Sequence, residues 1–182
     1  MKPTKHQNIS KSRINKLYNF IDNLNIDAED IKVLKQTNNS NIYIINEALT
    51  HTSANNLINH ERLEFLGDAV IRLASSEFIE KNFPLMKVGE RSALRSHLVS
   101  DKWLAKIGHE IAIDKILFLG PQALKDNSAI RTLQAEATEA LIGALYECLK
   151  DLNPIKNWLS PYWEEESKVI LADPHKHNSK SA

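Results

Sequence analysis

The chain has few of the residues that break helices or cross-link a fold. Of its 182 residues, five are glycine, six are proline and one, Cys148, is cysteine. A single cysteine excludes an intramolecular disulfide and is typical of a reducing compartment, so we expect Cys148 to be a buried, unreactive thiol. Because glycine and proline interrupt helices, their scarcity between long periodic stretches predicts an all-α fold of about nine helices.

The chain also lacks an excess of charge of either sign, because Lys+Arg and Asp+Glu each number 23. This balance excludes a globally basic nucleic-acid-binding protein, so any contact with RNA must come from a local patch. No apolar run approaches the roughly 20 residues that span a bilayer, and we expect no membrane contact. The basic N-terminal residues lack the apolar segment of a secretory signal; a basic amphipathic helix is the favoured interpretation, and an organelle transit peptide is the alternative.

Hydrophobic periodicity predicts the helices in chain order. They cover 9–24, 27–35, 42–50, 59–81, 90–99, 100–111, 114–119, 131–149 and 162–171. The length suits one domain with a full core, which we assign to 1–165. Residues 166–182 are then the end of the last helix and a frayed polar tail.

The helix predicted from Asn59, its N-cap, to Lys81 places acids beside its apolar stripe. The stripe recurs at steps of three and four and consists of Leu63, Leu66, Val70, Leu73 and Ala74. Glu61, Glu64 and Asp68 recur in the same way and therefore share a neighbouring face. Stacked like charges repel, and a bound cation would relieve that repulsion.

A second long helix carries Glu136 and Glu139, three residues apart, just before a run of apolar residues. If the two helices pack side by side, their carboxylates converge. Oxygen ligands without clustered His or Cys favour Mg²⁺, with Mn²⁺ as a possible substitute, over zinc. The alternative is that these acids are solvated faces or helix-start residues, and spacing alone leaves both interpretations open.

Several motifs resemble those of the ribonuclease III family. Residues 61–70 read ERLEFLGDAV, which is similar to the family signature almost letter for letter. Residues 48–54 resemble the short motif that precedes it. The later motifs are similar at 119–121, at Lys125 and at 139–146, in the right order and at compatible spacing. The resemblance covers roughly residues 10–165.

The resemblance implies an all-α endonuclease domain that acts as a homodimer on double-stranded RNA, with no small-molecule cofactor. By position, the implied metal ligands are Glu64, Asp68, Glu136 and Glu139, and the implied catalytic residues are Asp68, Glu139 and Glu61. Lys125 matches a lysine near the active site, and Phe65 matches an aromatic knob that enters the partner subunit. Gly67, which has no side chain, would permit close approach of a helix or of RNA.

The family's activity further implies 5′-phosphate and 3′-hydroxyl ends, with ribosomal RNA precursors or other structured transcripts as substrates. The candidate phosphate-binding residues are Arg91, Arg95 and Lys125, together with Lys87 and Arg131. Ordinary solvated surface charge is the competing interpretation of each. The expected compartment is a bacterial cytoplasm or an organelle interior such as a plastid stroma.

Three departures from the family pattern bear on function. Glu136 replaces an aspartate, and the extra methylene would shift a metal by about an ångström, an error that can reduce the rate on the order of a hundredfold. Val88 replaces an acid found in many bacterial members. About thirty residues follow the last motif, too few for a double-stranded RNA-binding domain, so we expect the catalytic domain alone. The alternative function is a catalytically weakened domain that serves as a structural RNA-binding protein.

Two further residue types have open roles in the sequence. His51 could orient groups in a hydrogen-bond network, although a lone histidine at a helix end is more often structural, which is the interpretation we favour. The three tryptophans are expected in the core or at an interface rather than as stacking platforms, because duplex RNA offers no free base faces.

Overall fold

The computed structural model of the protein describes residues 9–36, 40–121, 123 and 129–172. Within these residues the chain forms eight α-helices, one short 3₁₀ helix and no strand, apart from an isolated bridge between Thr50 and Phe118. The all-α prediction is therefore confirmed. The α-helices are α1 (Lys11–Asp22), α2 (Ala28–Leu34), α3 (Asn41–Ala48), α4 (Glu61–Asn82), α5 (Val88–Leu98), α6 (Asp101–Glu110), α7 (Ile130–Leu149) and α8 (Asn153–Ala172), and the 3₁₀ helix is Ile113–Lys115.

Helix α7 lies at the centre of the fold and packs against α3, α4 and α6. It occupies this place because most of its surface is apolar, as is typical of a buried helix. The tryptophans Trp103, Trp158 and Trp163 are all buried in the surrounding core, as predicted. Trp163 Nε1 donates a hydrogen bond to the Leu98 carbonyl at 3.1 Å, so its polar atom is satisfied.

Helix α4 packs along α7 with a different face from the predicted one. Leu63, Val70 and Ala74 are buried, but Leu73 is 55% exposed, so the prediction that Leu73 belongs to the inner stripe is wrong. The buried arc is centred on Gly67 and extends to Ile71 instead. This happens because the packing against α7 selects the small residue as the contact point, which a count of apolar residues does not reveal.

The start of α4 also lies one residue later than predicted. His60, rather than Asn59, is the N-cap residue. The Asn59 side chain still accepts a hydrogen bond from the Glu61 backbone N–H at 3.1 Å, so it satisfies one of the open donors at this helix end.

The last helix begins at Asn153, so the predicted start at residue 162 is wrong. Pro154 is tolerated because the first turn has no intrahelical partner for its N–H. Pro161 lies inside the helix and removes one backbone hydrogen bond. Burial of Ile155, Trp158 and Leu159 on the same helix offsets that loss.

The segment between α3 and α4 is held by backbone hydrogen bonds that fix the two histidines beside α4. The His51 N–H donates to the Phe118 carbonyl at 3.0 Å, and the Phe118 N–H donates to Leu49 at 2.9 Å. The His60 N–H donates to the Thr50 carbonyl at 2.9 Å.

The thiol of Cys148 on α7 is partly buried, and burial raises its pKa to about 12, as expected of an unreactive cysteine.

Candidate active site

Helix α4 supplies three acids from one face of the helix. Glu61 is exposed, whereas Glu64 and Asp68 are half-buried. Burial raises the pKa of Glu64. The charges of Glu136 and Glu61 raise this pKa further, whereas His60 lowers it. One Asp68 oxygen accepts a hydrogen bond from Arg72 Nε at 2.7 Å. Glu61 therefore lies at the edge of the acidic group, and Glu64 and Asp68 are less exposed.

Helix α7 brings its two acids to the same region because it touches α4 at the level of the backbone. A Cβ atom built on Gly67 would fall 1.9 Å from the Glu139 carbonyl oxygen, so no side chain fits between the helices there. Of the two interpretations of Gly67, the structure favours close helix approach. This contact sets the Glu139 side chain beside the acids of α4.

Glu139 has the most perturbed carboxyl group of the described site. Burial is the largest cause, and the charges of Asp68 and Glu64 add to it, so its pKa rises to about 7. Asp101 contributes in the same direction, and Arg72 opposes it. An unperturbed glutamate titrates near 4.3, so these surroundings strongly disfavour the charge of Glu139.

His60 links the acids of the two helices. Its Nε2 lies 3.4 Å from a Glu64 oxygen and 3.7 Å from a Glu136 oxygen. The structure thus brings Glu64, Asp68, Glu136 and Glu139, the four sequence-predicted metal ligands, into one region, with Glu61 at its edge. Such a set of oxygen donors fits a hard divalent cation, because it would neutralise charges that otherwise repel.

The acids open into a cavity of about 960 Å³ between α4, α6 and α7. Its lining includes Glu64, Glu136 and Glu139, together with Asp101, Lys102 and Arg131. Asp101 was not predicted, although its charge raises the pKa of both Glu64 and Glu139. Its sequence position, directly after the N-cap Ser100, is that of an ordinary acid in a first helical turn, so no signal marked it.

The candidate RNA-binding residues have separate locations. Arg91 donates to the carbonyls of Met86 and Pro84 at 2.9 and 2.8 Å and so braces the turn after α4. Arg95 donates to Ser76 Oγ at 3.0 Å. Arg131 is exposed on the cavity wall. Lys125 lies outside the described residues.

The remaining predicted positions are exposed or structural. Phe65 is 84% exposed, and Val88 is the exposed first residue of α5. His51 is half-buried and stacks on His60, with ring centroids 5.2 Å apart. Burial lowers the pKa of His51, and the neighbouring His60 adds to this effect.

None of the helices in the described ranges combines the length and apolar character of a membrane span.

Comparison with known proteins identifies the family. Residues 41–148 match the family described as Ribonuclease-III-like. Ribonuclease 3 of Prochlorococcus marinus is 55% identical over 174 residues, which cover 96% of this chain and 70% of that protein. A ribonuclease 3 of Synechocystis is 44% identical over 139 residues, which cover 76% of this chain and 57% of that protein.

Solved structures show the same relationship. The nuclease domain of ribonuclease III from Campylobacter jejuni, which has structural flexibility in the region involved in dimer formation, superposes with a TM-score of 0.63 at 29% identity. The match covers 76% of this chain and 97% of that one. Dicer from Pichia stipitis gives a TM-score of 0.59 at 29% identity, and the match covers 71% of this chain and 57% of that one. The chain therefore belongs to the ribonuclease III family of endoribonucleases.

Proposed function

We propose that the protein is a Mg²⁺-dependent endoribonuclease that cleaves double-stranded RNA to 5′-phosphate and 3′-hydroxyl ends. The observation that carries the proposal is the convergence of Glu64 and Asp68 from α4 with Glu136 and Glu139 from α7. A pKa of about 7 for Glu139 means that this charge needs a cation to be fully formed at neutral pH. Mn²⁺ is an alternative occupant with the same ligand preference.

The four acids would hold the metal, and each neighbour has its own task. A bound Mg²⁺ would polarise a phosphate oxygen and make a water molecule more acidic. Burial and neighbouring acids raise the pKa of Glu139 to about 7, so a bound cation would favour its charged form. Arg72 balances the charge of Asp68 and would have to release that carboxylate to a metal, whereas Glu61 and Asp101 add negative potential around the site.

RNA binding is proposed to run along the cavity that opens from the acids. Arg131 and Lys102 line this cavity, which supports them as candidate phosphate contacts. Lys125, Arg91 and Arg95 are further candidates, although the last two donate hydrogen bonds within the protein. Because the whole chain has no net charge, binding should depend on few contacts, with recognition through the A-form shape and 2′-hydroxyls.

A homodimer is proposed from an exposed apolar strip on α4. Phe65, Ala69 and Leu73 follow one another at steps of four and therefore lie on one face of the helix. All three are exposed, and an exposed row of this kind is typical of an interaction surface. Two copies joined through this face would place one metal site on each side of a duplex.

Precursors of ribosomal RNA or other structured transcripts are the proposed substrates, and a bacterial cytoplasm is the proposed location. The two ribonuclease 3 relatives described above, from Prochlorococcus marinus and Synechocystis, come from bacteria, which supports that location. An organelle interior remains the alternative compartment.

Cleavage of a long RNA duplex tests the activity directly. The parent is expected to cut in Mg²⁺ and to stop in EDTA. Glu139→Ala should lose at least a hundredfold in rate, because it removes a ligand that α7 contributes. Val169→Ala, which changes an exposed residue of α8, serves as the control and should cut like the parent.

The second candidate function is a structural RNA-binding protein, and Glu136 in place of aspartate is the observation that favours it. This candidate predicts tight duplex binding without cleavage at any Mg²⁺ or Mn²⁺ concentration. Glu136→Asp measures how far the native site departs from the family geometry. A much faster variant would mean that the extra methylene weakens the parent enzyme.

A further inference from the structure

Two histidines lie beside the carboxylate site, and the function proposed above gives them no chemical task. His60 is the N-cap residue of α4, and His51 lies in the segment that precedes it. One ligand atom each from His51, His60 and Glu136 lies within 4.8 Å of the others. Two imidazoles and one carboxylate therefore share a small volume next to the predicted Mg²⁺ ligands.

The hydrogen bonds of His60 determine which of its ring nitrogens faces the acids. Nδ1 lies 3.3 Å from the Thr50 carbonyl oxygen. A carbonyl only accepts, so Nδ1 is the donor here and Nε2 is the ring nitrogen that faces the acids. Nε2 lies 3.4 and 3.7 Å from oxygens of Glu64 and Glu136. It therefore points into the space that an ion shared with these carboxylates would occupy.

The two rings lie close together, and His60 is enclosed by the protein. The His60 side chain is only 5% exposed. The rings of His51 and His60 stack with their centroids 5.2 Å apart. One ion that binds both rings and Glu136 would use three donor atoms that already lie within 4.8 Å of one another, and it would offset the charge of the carboxylate.

Hydrogen bonds hold both rings in place. Nδ1 of His51 accepts a hydrogen bond from the Ser53 backbone N–H at 3.1 Å and lies 2.7 Å from Ser53 Oγ. Ser53 Oγ in turn accepts from the Gly120 N–H at 2.9 Å. Metal-binding histidines usually donate their other ring N–H to an acceptor, as Nδ1 of His60 does to the Thr50 carbonyl; for His51 the acceptor would be Ser53 Oγ.

We propose that His51, His60 and Glu136 form a site for a borderline transition-metal ion such as Zn²⁺ or Co²⁺. Imidazole favours these ions over Mg²⁺, and two histidines with one glutamate leave a fourth position for water or Glu64. Ligands of a tetrahedral zinc lie roughly 3.3 Å apart. Donor atoms that are up to 4.8 Å apart must therefore approach one another by as much as about 1.5 Å. Glu136, whose side chain is 34% exposed, has room to do so.

Occupation of this site has a consequence for the neighbouring acids. The ion takes Glu136, which the proposed Mg²⁺ site also needs, so the two sites compete for one ligand. Micromolar Zn²⁺ should therefore inhibit Mg²⁺-dependent cleavage. The binding itself does not depend on the proposed nuclease activity and is measurable without RNA.

Co²⁺ absorption in the visible region tests the site in the full-length, untagged protein. His6, His175 and His177 are first changed to glutamine in the parent, because terminal histidines also bind Co²⁺. Mg²⁺ is left out, because the two proposed sites compete for Glu136. We expect one equivalent of Co²⁺ to give d–d bands that one equivalent of Zn²⁺ abolishes. His51→Gln should weaken binding about a hundredfold, and the exposed His109→Gln should not.

Equal Co²⁺ affinity of the parent and His51→Gln would overturn the proposal, as would the absence of bands at one equivalent. His51 is only half-buried, so this variant tests the site even if the buried His60→Gln does not fold. Glu139→Ala separates the two proposals, because it should lose cleavage and keep the Co²⁺ bands.

Discussion

At the scale of single residues, Glu139 has the most strongly raised pKa among the acids of the site. Burial, followed by the charges of Asp68 and Glu64, raises its pKa to about 7. In the unfolded chain the same group titrates near 4.3. The folded protein therefore binds more protons than the unfolded chain between these two pKa values, and its stability must fall as the pH rises through that window.

Glu139→Gln is expected to remove most of this pH dependence. Below about pH 4 the parent is protonated at this position and should match the variant. Above pH 7 the parent carries the unfavourable charge, so the variant should be the more stable of the two. Urea unfolding in EDTA across this range measures the difference. Identical pH profiles of parent and variant would show that Glu139 is not desolvated.

The residues of the site differ in how far the sequence reveals them. Glu64, Asp68, Glu136 and Glu139 are predictable because their helical spacing and their resemblance to a family motif agree. Arg72 carries a usable signal, since it lies four residues after Asp68 and pairs with it. Nothing in the sequence marks Asp101 or His60 as part of the site, because tertiary packing brings α6 and the N-terminus of α4 close to α7.

At the scale of helices, the contact between α4 and α7 positions the site. A Cβ on Gly67 would lie 1.9 Å from the Glu139 carbonyl oxygen, and one on Gly143 would lie 2.1 Å from the Leu63 carbonyl oxygen. Each helix therefore places a glycine against the backbone of the other. The two glycines let the acid-bearing faces come close enough to share a cation.

Gly67→Ala should separate α4 from α7 and destabilise the protein. Overpacking of a core typically lowers the unfolding free energy by about 1–3 kcal/mol, and a clash with backbone belongs at the upper end. Gly89→Ala is the matched control, because nothing lies within 4 Å of its Cβ position. That variant should be neutral or stabilised by up to about 1 kcal/mol. Chemical denaturation of both variants measures the contrast, and equal stabilities would refute the close contact.

The helices themselves were largely predictable, and the errors have physical causes. Apolar periodicity indicates α4 and α7 because each is long and strongly patterned. It places Leu73 inside because it cannot tell which side of an amphipathic helix its neighbour selects. It misses the first half of α8 because Pro154 and Pro161 suggest a break, whereas buried tryptophans on that helix hold it together.

At the scale of the whole molecule, one site serves one strand of a duplex, so the proposed function needs two copies of the chain. The strip of Phe65, Ala69 and Leu73 lies on α4 next to the acids of the same helix. An interface there would hold the two sites at a fixed separation. The charge balance of the chain sets no barrier to such association.

Phe65→Ala is expected to shift the protein from dimer toward monomer. The side chain is 84% exposed in the single chain, so its removal should leave the fold intact while it weakens the interface. Sedimentation velocity at micromolar concentration measures the change. Val169→Ala, which truncates another exposed apolar side chain, should leave the dimer unchanged. A dimer unaffected by Phe65→Ala would place the interface elsewhere.

Diffraction from crystals grown with Mn²⁺ and duplex RNA, measured at the manganese absorption edge, locates the cation without reference to activity. The predicted result is an anomalous peak for an ion that carboxylate oxygens of both Asp68 and Glu139 coordinate, so that α4 and α7 bind the same ion. A fully occupied peak that touches neither side chain, or well-ordered Asp68 and Glu139 side chains turned apart with no peak between them, would contradict it.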